Sequence, residues 1–248
     1  MTTETFPSAA TRIGVVTGAG SGLGRACVEY LSELGALVEG WDRDAASLTG
    51  LPHGGEPVDV TDPASVTAAA DAVRRRHGRL DFLVNSAGIF TAGALADITP
   101  DAVRSMFDVN IVGTTLVSQA LLPLLTVNGG AIVNIASSTA LRATESNAHY
   151  AASKAALVHL TRCWALELAP ERIRVNAVAP GPVATGLHHK SGLTPAQVDQ
   201  LLASRAQTIP LRRVGTPLET ARWVARLALD DEWVTGAIIP VDGGMSVG

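Results

Sequence analysis

The chain has 248 residues, of which 47% are hydrophobic and 17% charged, with a formal net charge of −4. That length suits one large α/β domain, and so apolar a composition with so few charges suits a sheet covered on both faces. The acidic balance argues against a nucleic-acid surface: the one basic run, Arg74, Arg75 and Arg76, reads as the last turn of a helix, where cations complement the dipole.

Residues 1–12 are polar and contain no apolar core of a secretion signal, and no later segment reads as the ~18 continuous apolar residues that span a bilayer. The expected location is the cytoplasm, with neither membrane nor nucleic acid as partner. Cys27 and Cys163 both fall inside helical patterns, so no disulfide is expected and the usage suits a reducing compartment.

In chain order, short apolar runs at 13–17, 36–41, 82–85, 131–136, 174–178 and 237–241 read as strands. Helical patterns at 23–34, 63–77, 101–125, 149–168 and 217–229 lie between them. Such alternation means parallel strands joined by crossover helices. The stretch between Asp42 and Asp59 contains Pro52, Gly54, Gly55 and Pro57, leaving room for a helix of one or two turns. No repeat or linker divides the chain, so residues 1–248 read as one domain, with a lid-like segment, 184–208, inserted before the last helix. The lid carries Leu187, Leu193, Leu201 and Leu202, suited to closing over an apolar group and excluding water.

The first strand runs into Thr17-Gly18-Ala19-Gly20-Ser21-Gly22-Leu23-Gly24 and then a helix. Glycines there let the backbone approach a pyrophosphate, and the free amides and dipole of the helix start hold it. The second strand ends at Asp42, 18 positions beyond Gly24, near the ~20 expected of a carboxylate that hydrogen-bonds the adenosine ribose. A carboxylate at that place repels a 2′-phosphate, which favours NAD over NADP. Arg43 keeps NADP open, since a guanidinium next door binds such a phosphate if Asp42 turns aside.

Tyr150 and Lys154 stand four residues apart in a helical pattern, on one face and one turn apart. An ammonium beside a phenol, whose unperturbed pKa is ~10, stabilises the phenolate and lowers that value, so the pair can exchange a proton with a carbonyl or hydroxyl oxygen. Ser137 lies thirteen positions before Tyr150, at a strand end.

Together, Thr17 to Gly24, Asn85-Ser86-Ala87-Gly88, Asn110, Ser137, Tyr150 and Lys154, Pro180-Gly181-Pro182-Val183-Ala184-Thr185 and Val241-Asp242-Gly243-Gly244 resemble the short-chain dehydrogenase/reductase family over nearly the whole chain. The resemblance implies a single-domain α/β Rossmann fold: a doubly wound, seven-stranded parallel sheet with helices on both faces and the site at the carboxyl ends of the strands. It implies Tyr150 as general acid/base and Ser137 as the hydroxyl that orients the reacting oxygen. Lys154 is implied to tune the phenol and hold the nicotinamide ribose, and Asn110 to hold a water in a proton relay. For the cofactor it implies Gly18, Ser21, Gly22, Leu23 and Gly24 at the pyrophosphate and Asp42 and Arg43 at the ribose. Asp59 and Val60 are implied at the adenine, Asn85, Ala87 and Gly88 as the wall, and Pro180, Gly181, Val183 and Thr185 at the carboxamide.

Ser86 departs from the family, which often has a second Asn there. The short 42–59 connection is similar to that of 2,3-dihydro-2,3-dihydroxybenzoate dehydrogenases, which oxidise a ring hydroxyl. The function this implies is hydride transfer between NAD(H) and a small secondary alcohol or ketone. An NADPH-dependent ketoreductase of 3-oxoacyl carrier or polyketide substrates is the alternative, and an NAD-sensing interaction protein without turnover a second. Thr139 and Asn147 are expected at the substrate with Ser137 and Tyr150, and Arg142 and Glu145 share their loop. His188 and His189 are adjacent and no Cys, His or carboxylate cluster completes a site around them, so no metal is expected. His149 reads as an exposed helix-start residue, and Trp164, Trp223 and Trp233 read as packing residues. The helices at 101–125 and 149–168 are rich in Ala, Val and Leu on faces turned away from the sheet, as expected of a homo-oligomer, a tetramer being favoured and a dimer the alternative.

Overall fold

A strand turns alternate side chains to opposite sides, so a sheet can be apolar throughout only if both faces are covered. A computed structural model of the chain describes residues 12–127, 129–184, 194–230 and 233–247. Seven strands, β1 (Ile13–Thr17), β2 (Leu37–Asp42), β3 (Gly55–Pro57), β4 (Phe82–Asn85), β5 (Gly130–Ile135), β6 (Ile173–Pro180) and β7 (Ile238–Val241), form one sheet in the order β3-β2-β1-β4-β5-β6-β7. All pairs are parallel.

Neighbouring residues sort the core to its two sides. Val16, Val38, Phe82, Val84 and Val178 pack with Cys27, Val28 and Leu31 of α1 (Gly22–Glu33) on one face, joined by Ala221 and Val224 from Pro217–Ala225. Val15, Trp41, Leu83, Ile132 and Val175 pack on the other face against α2 (Pro63–His77), α4 (Thr114–Leu125) and α5 (Ala148–Glu167). Gly14 stands opposite Phe82 in the β1–β4 register, and a Cβ at Gly14 would fall 2.0 Å from the Phe82 ring. The order of the strands reverses between β1 and β4, and it is at the carboxyl ends of the strands, by such a switch point, that open α/β sheets bind ligands.

The helix starts carry their own signals. Asp62 caps α2 by accepting from the Ala64 amide, and Thr99 caps α3 (Pro100–Phe107) by accepting from Ala102. Capping boxes, Thr194 with Gln197 and Thr216 with Glu219, open α6 (Pro195–Thr208) and α7 (Pro217–Ala225). The Arg74–Arg76 run does end α2, and Arg76 does more than meet the dipole. With His77 it holds the carboxylate of Glu39, buried on β2, at 2.8 and 2.6 Å.

Four expectations change. Strand β3 lies in the 42–59 stretch, where only a short helix was read; that helix is also present, one turn at Ala45–Leu48. Three exposed or half-buried residues make too brief a run to show alternation. The helix read at 101–125 is interrupted by a π turn, Asp108–Gly113, whose wider ring turns Asn110 fully inward. The whole stretch Pro100–Leu125 is long and apolar enough, at mean hydropathy 1.3, to cross a membrane, although no unbroken apolar run shows it; it packs Val117, Leu121, Leu124 and Leu125 against the protein core instead. Trp233 is 99% exposed and Trp223 41% exposed, because the loop before β7 and the outer side of α7 carry them outward.

Candidate active site

The first element of the site is the turn between β1 and α1. Gly18 adopts φ +67, and a Cβ on Gly24 would fall 2.0 Å from the Gly18 carbonyl oxygen, so the turn closes only with glycine at both places. Ser21 is the residue before α1, yet its side chain makes no cap hydrogen bond, which leaves the first-turn amides for an anion. Asp42, at the end of β2, accepts from Gly20 N at 3.0 Å through Oδ2 and from Asp44 N at 3.0 Å through Oδ1. Its carboxylate is thereby held against the glycine turn, with lone pairs remaining on both oxygens. These groups fit a dinucleotide: a cradle that side chains would fill, amides for the pyrophosphate and a fixed acceptor for the ribose.

Farther along, Thr61 donates to Asp59 from both its amide (2.9 Å) and its hydroxyl (2.7 Å), which holds the Asp59 carboxyl below the usual range, with a small contribution from the Arg43 charge. Val60 is buried against Gly113 of the π turn, where a Cβ would lie 2.8 Å from Val60 Cγ2.

The wall beneath is built by Thr17, whose Oγ1 accepts from Ser86 N (3.1 Å) and Ala87 N (3.0 Å) and so ties the end of β1 to the loop after β4. Asn85 enters a buried chain: its amide donates to Ser118 (3.0 Å) and Asn134 (2.9 Å), and Asn134 donates to Thr161 (2.9 Å). That strut joins α4, β4, β5 and α5. Ser118, Asn134 and Thr161 carry no signal in the sequence, since residues 27 to 49 positions apart in the chain show no local pattern of such contacts.

Ser137, Tyr150, Lys154 and Asn110 come together at the carboxyl ends of β4 and β5. Thr139 donates twice to Ser137 Oγ, from its amide (3.2 Å) and its hydroxyl (2.9 Å). The Ser137 proton is then free to be given away, and its hydrogen bond to the Tyr150 phenol pulls that group's pKa down. Burial of the phenol is the larger effect and leaves it raised above the ordinary 10.0. The expected lowering by Lys154 is not what sets this shift: its Nζ, 6.0 Å from the centre of the Tyr150 ring, donates to Ile135 O at 2.8 Å, and burial and the Ser137 hydrogen bond are the causes acting on the phenol. Burial also pushes the Lys154 amine down to about 8.

Asn110 braces the group. Its Nδ2 donates to Ile89 O (3.1 Å) and Ser153 Oγ (3.0 Å), and Ser153 donates to Tyr150 O (2.7 Å). Gly88 lies beside both, since a Cβ there would sit 3.2 Å from Asn110 Oδ1 and 3.3 Å from Lys154 Nζ.

On the substrate side, Thr139 spends its hydroxyl on Ser137, and the Asn147 amide donates to Thr144 Oγ1 at 3.3 Å. Arg142 turns its guanidinium to Met245 O (2.9 Å). The segment after β6 is pinned where Gly181 N donates to Val241 O (3.0 Å) and Ala184 N to Gly215 O (3.0 Å), which places Pro180, Gly181 and Val183 at the same end of the sheet. Thr185, Leu187, His188, His189 and Leu193 lie outside the described residues. His149 is half-buried rather than exposed, with its Nδ1 enclosed.

A doubly wound sheet with a glycine turn at its switch point defines a Rossmann-type dinucleotide-binding protein. A family model described as Enoyl-(Acyl carrier protein) reductase matches residues 18–246. The chain is 34% identical to a 3-oxoacyl-(acyl-carrier-protein) reductase of Thermotoga maritima, over 95% of this chain and 98% of the relative. It is 39% identical to a cis-4-hydroxycyclohexanecarboxylate dehydrogenase of Sinomonas cyclohexanicum, over 95% and 96%. In three dimensions it is similar to the ligand-free aldohexose dehydrogenase of Thermoplasma acidophilum, with TM-score 0.92 and 31% identity over 98% and 97% of the two chains. The chain belongs to the short-chain dehydrogenase/reductase family. It is an oxidoreductase of CH–OH or carbonyl groups, in a family that uses nicotinamide cofactors.

Proposed function

We propose that the chain interconverts a small secondary alcohol and its ketone with NAD(H), using Tyr150 to move the proton. The observation that carries this is the placement of the two hydroxyls: Ser137 Oγ, paired with the amide and hydroxyl of Thr139, lies at the Tyr150 phenol, whose pKa it lowers. A substrate oxygen between the two hydroxyls is polarised by Ser137 and receives or surrenders its proton at the Tyr150 oxygen. A phenol raised by burial is protonated at neutral pH, ready to donate to a ketone; oxidation requires that proton to leave, with the Lys154 amine as neighbour.

Gly18, Ser21, Gly22, Leu23 and Gly24 would hold the pyrophosphate, Asp42 the adenosine ribose, Asp59 and Val60 the adenine, and Ala87 and Gly88 the wall. Pro180, Gly181, Val183 and Thr185 would flank the nicotinamide, and Lys154 its ribose. The nicotinamide supplies or accepts the hydride at the carbinol carbon. Asp42, fixed by two amides, supports NAD by charge repulsion of a 2′-phosphate, and Arg43 lends its charge to Asp59. The 3-oxoacyl reductase relative keeps an NADPH-dependent ketoreductase as the second reading.

The test follows reduced-cofactor absorbance with a panel of cyclic and linear secondary alcohols. Tyr150→Phe is expected to lower kcat by about 10²–10⁴-fold. Turnover that survives in that variant removes the mechanism, and cofactor binding with no turnover of any alcohol or ketone favours a sensor.

A cytoplasmic homo-tetramer completes the proposal. Leu166 on α5 is 81% exposed and Val112 in the π turn 48%, as expected of helices that meet a partner copy, and the bare Trp233 indole offers a further contact. Light scattering that reports a monomer would refute it.

A further inference from the structure

Phe90, in the loop after β4, is 53% exposed. Its ring meets that of Tyr150 edge to face, with centroids 5.0 Å apart and planes at 83°. The contact is held from both sides. Asn110 accepts from Ile89 N (2.9 Å) and donates to Ile89 O (3.1 Å), so the residue before Phe90 is clamped to the side chain that also braces Tyr150 through Ser153. Three residues beyond Phe90, Gly93 N donates to Ser146 O (2.9 Å), on the loop that leads into α5. A half-exposed aromatic ring is thus held against the ring that carries the phenol, and Arg142, a cation on the neighbouring loop, is paired with Met245 O.

We infer that Phe90 selects the substrate, as the wall on which a flat apolar ring bearing the secondary hydroxyl packs. This rests on Tyr150 as the proton-transfer group. A substrate oxygen within hydrogen-bonding distance of the phenol, about 2.7 Å, brings the carbons next to the carbinol onto the Phe90 face. An alicyclic or aromatic ring covers that face; a short linear alcohol leaves most of it in water, and the difference appears in affinity more than in the chemical step.

The experiment compares kcat/KM for cyclohexanol and 2-butanol in the wild type, Phe90→Ala, Phe90→Leu and Phe90→Tyr. The cyclohexanol to 2-butanol ratio is expected to fall at least tenfold in Phe90→Ala, chiefly through KM, and by a smaller factor in Phe90→Leu. In Phe90→Tyr, which keeps the flat face, it should stay within about threefold of wild type. A second readout needs no turnover: cyclohexanone binding to the Tyr150→Phe protein with reduced cofactor, followed by calorimetry, should weaken about tenfold when Phe90→Ala is added. A ratio and a cyclohexanone affinity that Phe90→Ala leaves unmoved would overturn the inference, as would a wild type that prefers 2-butanol. Full activity of Tyr150→Phe would instead sink the proton-transfer reading, while the calorimetry still decides the role of Phe90.

Discussion

The side-chain amide of Asn110 closes a two-bond ring with the peptide of Ile89, accepting from its N–H at 2.9 Å and donating to its carbonyl at 3.1 Å. Its second amide hydrogen goes to Ser153, so both donors are spent on holding the loop after β4 and the start of α5 together. Asn110→Ala leaves the Ile89 N–H and carbonyl unpaired in a half-buried place. A loss of about 3 kcal/mol is expected, roughly 6–12 °C in Tm for a chain of this size, with a fall in kcat; calorimetry and steady-state kinetics check both.

The pH dependence has a definite sign. In the oxidative direction the Tyr150 phenol must be ionised to accept the substrate proton, so activity falls as pH drops through its pKa. The Ser137 hydrogen bond lowers that pKa against the raising effect of burial. Ser137→Ala therefore shifts the limb of the kcat/KM profile for oxidation to higher pH, besides lowering the rate by about 10²–10³-fold. A limb that stays in place or moves to lower pH contradicts the arrangement.

Asp42 holds the Gly20 and Asp44 amides and, as proposed, the adenosine ribose. Asp42→Ser should lower kcat/KM with NAD by about 10–100-fold and raise it with NADP, as the repulsion of a 2′-phosphate is lost. Activity assayed with the two cofactors in parallel decides this; a wild type that already prefers NADP points to the ketoreductase reading.

Cys27 is buried in the core beside Val28 and Leu31, and desolvation pushes its thiol up to about 12. Cys163 is half-buried. An alkylating reagent at pH 8 should label Cys163 in the native protein and Cys27 only after unfolding, since the thiolate is the reactive form. Mass spectrometry of the labelled peptides provides the check, and native labelling of Cys27 would contradict the packing of α1.

The parts of the site that could be read from the sequence are local. The glycine turn from Gly18 to Gly24, the strand-end Asp42 and the Tyr150–Lys154 spacing each occupy a few consecutive residues, and backbone geometry alone fixes what such a stretch does. The Asn85–Asn134–Thr161 strut, the Arg76–Glu39 pair and the Phe90–Tyr150 contact were not legible, because each joins elements that only the fold brings together. Phe90 carried one sequence signal, its place two residues beyond Gly88 at a strand's carboxyl end, and nothing there distinguishes a ring in the core from a ring on the wall of a crevice.

Apolar periodicity, turn residues and helix starts in the chain itself determined an alternating α/β protein with a dinucleotide cradle, because these preferences act over one or two turns of backbone. The tertiary structure decided the burial of the Tyr150 phenol and the pairing of Thr139 with Ser137 beside it. It also turned Asn110 inward through the π turn. Those depend on how much water is excluded and on which donors meet across the sheet, and both quantities exist only once the layers have packed.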